Sequence, residues 1–380
     1  MTSKLKIALV FGTRPEAIKM APIIHELNLK NEIETIVCVT GQHREMLDQV
    51  LDLFEIIPEF DLNIMKPNQT LESVTVDLLK SLDKFLELKA PDVVLVHGDT
   101  TTSFVTSLAC FYKKIPVSHI EAGLRSNDIY SPWPEEANRR LTAVLSHLHF
   151  APTKQAVKNL INEGISSSSI VMSGNTVIDS LKYIIKKIES DENLIEKFKS
   201  KFNFISPQKR MILLTVHRRE NQGKGFQNIF EAIKELAILY PNVDFVYPVH
   251  FSPAVRKIAH LILSNKPNIH LIDPLDYMSF VYLMKKCFLI LTDSGGIQEE
   301  APTFQKPVLV LRNETERMES LVANTSKLVG TSKDKIISHT KLLLEDKICY
   351  DAMCQSEALY GDGNARKLIV KVLIDRFTVT

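Results

Sequence analysis

The sequence has few residues of the kinds that mark specialised classes of protein. Its 380 residues include five cysteines and one tryptophan, and 46 basic side chains stand against 45 acidic ones. An odd number of cysteines at irregular spacing, without a CxxC pair, argues against a disulfide framework and a cysteine zinc site. A net charge of +1 gives no basic excess for binding nucleic acid. The composition therefore predicts no nucleic-acid partner. Cys38, Cys110 and Cys287 lie in apolar segments and are predicted to be small core residues.

Long hydrophobic runs are also missing. The residues are 45% hydrophobic, yet no apolar run approaches the roughly 20 residues of a membrane span. The first apolar stretch, IALVF, is shorter than the core of a signal peptide and runs directly into Gly-Thr-Arg-Pro-Glu. These absences predict a cytoplasmic protein with no membrane partner.

What the sequence does have is a regular alternation of short apolar runs and helix-length amphipathic segments. In the first half the runs are KIALVFG, ETIVCVT, DVVLVHGD and IPVSHIEAG. In the second half they are MILLTVH, VDFVYPVH, NIHLIDP, FLILTDSGG and KPVLVLRNETER. Buried parallel strands separated by helices give this pattern. The predicted fold class is α/β, with two Rossmann-like, doubly wound parallel sheets.

The boundary between the two halves is predicted near Gly174. Residues 174–210 are charged and helix-like, and they separate the two series of strands. The first domain is therefore predicted to span 1–173 and the second 174–363. Residues 364–380 follow the turn Tyr-Gly-Asp-Gly and have the pattern of one amphipathic helix.

Polar residues follow most of the predicted strands. Ligands of open parallel sheets bind at the carboxyl ends of the strands, so these residues are the candidates for a site. Two such polar rims, one per domain, predict a site in a cleft between the domains. The candidates are Gly12, Thr13, Arg14, Glu16, Gln42, His43, Arg44, His97, Gly98, Asp99, Thr100, Glu121, His217, Arg218, Arg219, Glu220, His250, Asp276, Tyr277, residues 293–300 and residues 312–317.

Several of these candidates have a structural explanation as well as a functional one. Thr13 and Asp99 stand where a helix N-cap is expected, and Glu135 fits the first turn of a helix, where acidic residues are favourable. His217 fits a strand-end histidine with satisfied hydrogen bonds. Glu121 has no such explanation, because a carboxylate that ends an apolar strand is costly unless it is paired.

The stretch LTDSGGIQEEAP, residues 291–302, places two glycines between a predicted strand and a helix. It matches neither the GxGxxG nor the GxxxxGK[ST] signature. Backbone N–H groups at a helix start attract phosphate, so Ser294, Gly295 and Gly296 suit a diphosphate. A Glu one turn later suits two vicinal hydroxyls, as in ribose sites. The stretch therefore predicts a ligand that is a nucleotide conjugate.

With these residues in view, the chain closely resembles the non-hydrolysing bacterial UDP-N-acetylglucosamine 2-epimerases over nearly its whole length. The matching stretches are VFGTRPEAIKMAP, GQHREMLDQVL, APDVVLVHGDTTT, HIEAGLRS, SPWPEEANRRLT, GNTVID, HRRE, YPVH, LTDSGGIQEEAP, KPVLVLRNETERME and YGDGNA. The start of the first helix, GTRPEAIKMAP, favours the non-hydrolysing over the hydrolysing branch. The resemblance implies a GT-B fold, with the last helix returning to the first domain.

The resemblance implies reversible conversion of UDP-N-acetylglucosamine to UDP-N-acetylmannosamine. Anti elimination of UDP would give 2-acetamidoglucal, and UDP would add back after reprotonation on the other face. The implied catalytic residues are Asp99, Glu121, Glu135 and His217, with the roles of the three carboxylates left open. The implied substrate-binding residues are Arg14, Lys19, Leu275, Phe280, Ser294, Gly295, Gly296, Glu300 and Arg317. Some family members have Gln at the position of Leu275, so a contact there would use the backbone.

The resemblance further implies no metal or nicotinamide cofactor, because UDP is the leaving group and returns. It implies a homodimer and activation by the substrate at a second site formed by Gln42, His43, Arg218 and His250. The product would feed bacterial surface polysaccharide synthesis. The alternatives are a GT-B glycosyltransferase, a catalytically silent nucleotide-sugar sensor, and an epimerase for a modified UDP-sugar.

Overall fold

A computed structural model describes residues 4–41, 44–66, 69–354 and 358–378. The chain divides into two compact units. The first unit contains residues 1–180 and 360–380, and the second contains residues 181–359.

Parallel strands and helices alternate along both units. The strands are β1 (Leu5–Phe11), β2 (Ile33–Val39), β3 (Phe60–Asp61), β4 (Val93–His97), β5 (Val117–Ile120), β6 (Leu148–Ala151), β7 (Ile170–Met172), β8 (Arg210–Thr215), β9 (Val243–Pro248), β10 (Ile269–Ile272), β11 (Leu289–Thr292), β12 (Val308–Val310) and β13 (Ser326–Leu328). The helices are α1 (Arg14–Asn28), α2 (Arg44–Leu53), α3 (Leu71–Lys89), α4 (Thr101–Tyr112), α5 (Glu135–Leu145), α6 (Lys154–Asn162), α7 (Thr176–Glu189), α8 (Glu192–Lys201), α9 (Lys224–Leu239), α10 (Pro253–Leu263), α11 (Tyr277–Lys286), α12 (Gly295–Glu300), α13 (Met318–Val322), α14 (Lys333–Glu345), α15 (Lys347–Met353) and α16 (Ala365–Phe377).

The described residues of the first unit form a seven-stranded parallel sheet in the order β3-β2-β1-β4-β5-β6-β7. Its central strands are buried on both faces, which explains why they read as continuous apolar runs. On one face, the apolar side of α3 packs on β1 and β4 through Leu78, Leu82 and Phe85. The strand order reverses between β1 and β4, and a ligand is expected at such a switch point.

The last helix, α16, belongs to the first unit and packs against α1. The chain leaves this unit after Ser180, within α7, whereas the predicted boundary preceded Gly174. The start of α7 belongs to the first unit, where the Ser180 hydroxyl donates a hydrogen bond to the carbonyl oxygen of Ile18 in α1. The two crossing segments meet where Gly174 (φ +81°) lies against Gly361 (φ +110°). A side chain at Gly174 would lie 3.2 Å from the Gly361 Cα, so both positions need glycine.

The described part of the second unit forms a six-stranded parallel sheet in the order β10-β9-β8-β11-β12-β13. The apolar side of α9 covers one face of this sheet through Phe226, Phe230 and Ile233. The order reverses between β8 and β11, which repeats the arrangement of the first unit. The prediction of two doubly wound, parallel-sheet domains is confirmed.

The apolar segments that end in polar residues are core strands. Cys38, Cys110 and Cys287 are buried free thiols, as predicted. Across the ranges that the structure describes, no helix combines the length and apolarity that a membrane crossing would require.

Candidate active site

The turn after β1 is built around the buried carboxylate of Glu16. One carboxylate oxygen accepts hydrogen bonds from the backbone N–H of Gly12 at 3.0 Å and from the N–H and hydroxyl of Thr13, both at 2.8 Å. The other accepts from the hydroxyls of Thr100 at 2.6 Å and Ser103 at 3.1 Å. Burial raises the pKa of Glu16. Because it joins the ends of β1 and β4, Glu16 fixes the switch point and is a structural member of the predicted rim.

Glu121 follows β5 and forms the centre of a buried polar cluster. Its Oε2 accepts hydrogen bonds from the ammonium of Lys19 and from the side-chain amide of Asn175, the latter at 2.7 Å. The Nε2 atom of His97 lies 3.8 Å from the same oxygen. Glu121 also has a left-handed backbone (φ +62°), a conformation that a non-glycine residue keeps only when its surroundings hold it. The predicted pairing of this strand-end carboxylate is therefore present in the structure.

Asp99 lies at the end of β4 and pairs with Arg139 of α5. The distance from its Oδ2 to the guanidinium is 2.6 Å, and the amide of Asn138 donates to its backbone oxygen at 3.0 Å. The N-cap of α4 is Thr100, whose hydroxyl accepts from the N–H of Ser103. The alternative interpretation of Asp99 as the helix cap was therefore wrong.

The two acidic residues that begin α5 differ in environment. Glu136 is fully buried and accepts hydrogen bonds from the backbone N–H of Ser126 at 3.0 Å and from Arg139 at 3.1 Å. Glu135 is half-buried, and its Oε2 is shielded from solvent without a hydrogen-bond partner among the described residues. A carboxylate oxygen in that position is costly in the absence of a ligand. Glu136 anchors the helix, and Glu135 remains the candidate for chemistry.

Three neighbouring strands carry buried histidines beneath this cluster. Burial lowers the pKa of His97 to about 4, that of His119 to about 3 and that of His149 to about 4. All three are therefore neutral near pH 7. His119 bonds through Nε2 to the carbonyl oxygen of Gly98 at 2.7 Å. The positive charge beside Glu121 and Asp99 therefore comes from Lys19 and Arg139 rather than from these imidazoles.

In the second unit the fully buried Asp293 organises the end of β8. Its carboxylate accepts hydrogen bonds from the backbone N–H of His217 at 2.9 Å, from that of Arg218 at 2.8 Å and from the amide of Asn221 at 3.0 Å. Its Oδ1 lies 3.2 Å from Nδ1 of His217. An Nδ1–H donated to Asp293 would leave Nε2 of the half-buried His217 to act on a ligand. Burial lowers the pKa of His217, although the Asp293 charge opposes this shift.

The glycine turn after β11 lies against a buried guanidinium. A Cβ atom added at Gly295 would lie 2.9 Å from Cζ of Arg317, whereas one added at Gly296 would meet open space. Arg317 is held in place by Glu299, with 3.0 Å from Nε to Oε1, and by Glu316. Glu316 also pairs with Arg312 at 3.0 Å. Arg317 therefore supports the predicted diphosphate turn from below.

The remaining predicted binding residues of this unit gather around α11 and α12. Glu300 is buried and accepts a hydrogen bond from the hydroxyl of Tyr277. The half-buried Phe280 lies on the first turn of α11, whose N-cap is Asp276, and Leu275 immediately precedes that cap. A buried carboxylate is stable only when donors satisfy its oxygens. Glu300 therefore suits a ligand that carries hydroxyl groups.

The predicted second site is only partly described. Gln42 and His43 lie outside the described residues. His250 has an exposed side chain and stacks on His217 with ring centroids 5.4 Å apart. Partial desolvation lowers the pKa of His250. The Nε atom of Arg218 is buried without a hydrogen-bond partner in the described parts of the chain. The structure therefore brings His250 next to one predicted catalytic residue.

Arg14 is the first residue of α1, and Lys19 lies on the second turn of the same helix. Lys19 contacts Glu121 directly, which the sequence reasoning did not anticipate. Two contributors were missed, Asn175 and Arg139. Asn175 lies in the motif GNTVID and Arg139 in the motif PWPEEANRR, but the partners of both residues, Glu121 and Asp99, are distant in sequence. No group of three or more metal-binding side chains occurs within the ranges that the structure describes.

Two parallel-sheet units, each with polar side chains converging at its switch point, define an enzyme of the GT-B type. The family model for UDP-N-acetylglucosamine 2-epimerase matches residues 25–374. UDP-N-acetylglucosamine 2-epimerases from Neisseria meningitidis serogroup A and Escherichia coli K12 are 54% and 51% identical, over 97% of this chain and 99% and 98% of theirs. The chain belongs to the UDP-N-acetylglucosamine 2-epimerase family.

Solved structures agree with this assignment. The Neisseria meningitidis enzyme bound to UDP-GlcNAc has a TM-score of 0.95 at 54% identity, with 98% of this chain and 100% of that chain covered. The Methanocaldococcus jannaschii enzyme in complex with UDP-GlcNAc and UDP has a TM-score of 0.85 at 35% identity, with 97% and 99% covered. The predicted resemblance and the GT-B fold are confirmed.

Proposed function

We propose that the chain interconverts UDP-N-acetylglucosamine and UDP-N-acetylmannosamine by elimination and re-addition of UDP. A base removes the proton from C2, the bond from C1 to the diphosphate oxygen breaks, and UDP leaves with the electron pair. The product of this step is 2-acetamidoglucal. Delivery of a proton to the opposite face of C2 and return of UDP to C1 give the epimer. The observation that carries the proposal is the set of carboxylates paired with cations at the end of β4 and β5, in a chain of this family.

The first unit supplies the proton transfers. Asp99 and Glu121 are the carboxylates that would exchange protons with C2, and each lies beside a cation, Arg139 and Lys19 respectively. Glu135 offers an oxygen that is shielded from water. Carbon acids react slowly, so carboxylates held in a dry site next to C2 are what the step requires. Carboxylates disposed about the sugar can serve both faces of C2, as inversion demands.

The second unit provides the contacts to the nucleoside and part of the contacts to the diphosphate. The N–H groups of the turn 294–296 and the imidazole of His217 stabilise the negative charge that grows on the departing diphosphate. Glu300 accepts hydrogen bonds from the ribose hydroxyls, and Phe280 packs on the uracil. The backbone at Leu275 contacts the base edge. Because UDP leaves and returns, the overall reaction needs no external redox partner.

Proton NMR in deuterated water tests the reaction. The purified chain is incubated with UDP-N-acetylglucosamine without added nicotinamide. The expected result is the manno epimer with deuterium at C2. Free UDP with N-acetylmannosamine would instead show the hydrolysing reaction. An unchanged spectrum with UDP bound would contradict epimerisation and favour a transferase or a sensor.

Replacing Arg14 with alanine is expected to weaken UDP binding by about tenfold to a hundredfold, because a charge-assisted contact is worth about 1.5–3 kcal/mol. Arg14 begins α1 at the switch point of the first unit, where a phosphate oxygen is expected. Titration calorimetry with UDP measures the effect. Arg376→Ala, on α16, is the matched control and should bind as the unchanged chain does. Equal affinities of the two variants would remove Arg14 from the diphosphate site.

Activation by substrate at a second site is part of the proposal. His250 stacks on His217, so a ligand that touches His250 would act directly on a predicted catalytic residue. Initial rates measured across substrate concentration should be sigmoidal. A hyperbolic curve for the unchanged chain would contradict this part of the proposal.

We further propose a homodimer through the surface formed by α3, α4 and α5. These helices pack side by side and expose large apolar side chains, Leu88, Tyr112 and Val144 among them. Contiguous exposed apolar area commonly marks an interface between proteins.

Light scattering coupled to size exclusion tests the dimer. The unchanged chain is expected at twice its 43.1 kDa monomer mass, and Tyr112→Glu at the monomer mass. The control, Ile348→Glu, places the same charge on α15 of the second unit, at a side chain that is also mostly exposed. This variant should remain dimeric. A monomeric unchanged chain, or a dimeric Tyr112→Glu, would contradict the interface.

A further inference from the structure

Asn175 is a buried polar residue that connects the end of the first unit's sheet region to Glu121 and to Tyr360. It follows Gly174 at the start of the segment that leads to the second unit, and its backbone N–H donates to the carbonyl oxygen of Tyr360 at 2.6 Å. It is 3% exposed. Its side chain reaches Glu121, which is 54 positions away in sequence. Neither its backbone nor its side chain faces open solvent, so its polar groups act within the fold.

The hydrogen bonds of the Asn175 side chain fix its orientation. The carbonyl oxygen Oδ1 accepts from the backbone N–H of Val177 at 3.0 Å. The amino group Nδ2 must then face the other way, where it donates to Oε2 of Glu121 at 2.7 Å. A flipped amide would place an oxygen against a carboxylate and an amino group against an N–H. The amide is therefore a donor locked toward Glu121.

The backbone of Glu121 is fixed in an unusual conformation, whereas the orientation of its side chain depends on hydrogen-bond donors. Its left-handed backbone is held on both sides, since the carbonyl oxygen of Ile120 accepts from the N–H of Gly98 and the N–H of Ala122 donates to Phe150. The side chain still has freedom about its own bonds. Lys19 and Asn175 meet on the same oxygen, Oε2, and so determine where the carboxylate points.

The charged and titratable groups that face Glu121 come from several elements. Lys19 comes from α1 and His97 from the end of β4, and the charge of Asp99, which follows β4, acts on His97. Asp99 is itself paired with Arg139 of α5. Asn175 is not titratable, so it provides a hydrogen bond to Glu121 without changing the net charge. A donor of that kind favours the ionised carboxylate, as the ammonium of Lys19 on the same oxygen does.

We propose that Asn175 is a positioning residue for proton transfer by Glu121. It holds Oε2, so that the carboxylate keeps one orientation through the reaction, and it biases the carboxylate toward the charged form. This inference rests on the role given to Glu121 in the proposed function. In this proposal Asn175 acts through Glu121, to which its side chain donates.

The test uses Asn175→Asp, which keeps the shape of the side chain and the oxygen that accepts from Val177. A second oxygen then faces Glu121, and two adjacent carboxylates resist ionisation. The turnover number is expected to fall about tenfold to a hundredfold, since a hydrogen bond to a charged group is lost. The limb of the pH profile that Glu121 governs should move to higher pH by about one unit, whether Glu121 acts as base or acid. UDP affinity should not change.

Asn159→Asp is the matched control. The amide of Asn159 donates to the carbonyl oxygen of Gly123 at 2.9 Å, two positions from Glu121, without contacting a carboxylate. This variant should lower stability but leave the pH profile in place. An unmoved profile in Asn175→Asp, or an equal movement in Asn159→Asp, would overturn the proposal.

A double-mutant cycle separates this proposal from the proposed function. Asn175→Ala should cost turnover in the unchanged chain but little in a Glu121→Gln background, because its effect passes through Glu121. Deuterium incorporation at C2 detects low residual rates. Full turnover in Glu121→Gln alone would overturn the role of Glu121. A cost of Asn175→Ala that persists in Glu121→Gln would overturn only the positioning role.

Discussion

Replacing Asp99 with asparagine is expected to lower turnover by about a hundredfold to ten-thousandfold, which is the range that general acid–base catalysis contributes. The asparagine keeps the shape of the side chain but cannot accept a proton. The fold should tolerate the change because Arg139, the ion-pair partner of Asp99, keeps its second carboxylate at Glu136. UDP affinity should remain, since the proposed UDP contacts lie elsewhere. Deuterium incorporation at C2 and calorimetry with UDP measure the two quantities.

The matched control for this change is Glu163→Gln. Glu163 pairs with the buried Arg125 at 2.7 Å in the same unit, away from the end of β4. Its loss should affect stability and leave turnover nearly unchanged. A parallel loss of UDP affinity in Asp99→Asn would show that Asp99 contacts the nucleotide, and normal turnover would remove it from catalysis.

Replacing Gly123 with alanine is expected to destabilise the first unit by about 3–5 kcal/mol, at the upper end for single substitutions. The added Cβ would lie 2.3 Å from the carbonyl oxygen of Ala156, a backbone atom of α6 that has little freedom to move. The glycine also has φ +92°, which disfavours a side chain. Urea unfolding measures the change.

Gly164→Ala separates the two causes of this destabilisation. Gly164 has a similar φ of +86°, but a Cβ there would meet nothing within 4 Å. Its substitution should cost only the backbone strain, about 1–2 kcal/mol. If both variants lost the same stability, close packing of α6 on Gly123 would not be the reason for the glycine.

The sequence predicted the parts of the site that depend on strand ends. Glu121 and His217 each stand directly after or within two residues of an apolar run, and parallel strands bring such residues to one edge. Thr13 was expected to cap the first helix, and it does so together with Glu16. These features follow from local pattern, so they can be read without coordinates.

The missed contacts join positions far apart in the chain. Asn175 contacts Glu121 across 54 positions, and Arg139 meets Asp99 only because α4 and α5 pack side by side. Local pattern also gave Asp99 the capping role that belongs to Thr100. The N-cap is the last residue that keeps a non-helical backbone before the helix begins, and two adjacent polar residues leave that position open.

The division of the chain has a consequence for its synthesis on the ribosome. The second unit is continuous, residues 181–359, whereas the first is completed only by residues 360–380. Until α16 emerges, the surface of α1 that it covers is without Ile369 and Leu373, which are fully buried in the finished protein. Domains generally fold as units and in order of synthesis. In this chain we expect the opposite order of folding: the second unit can fold completely before the first unit has received its last helix.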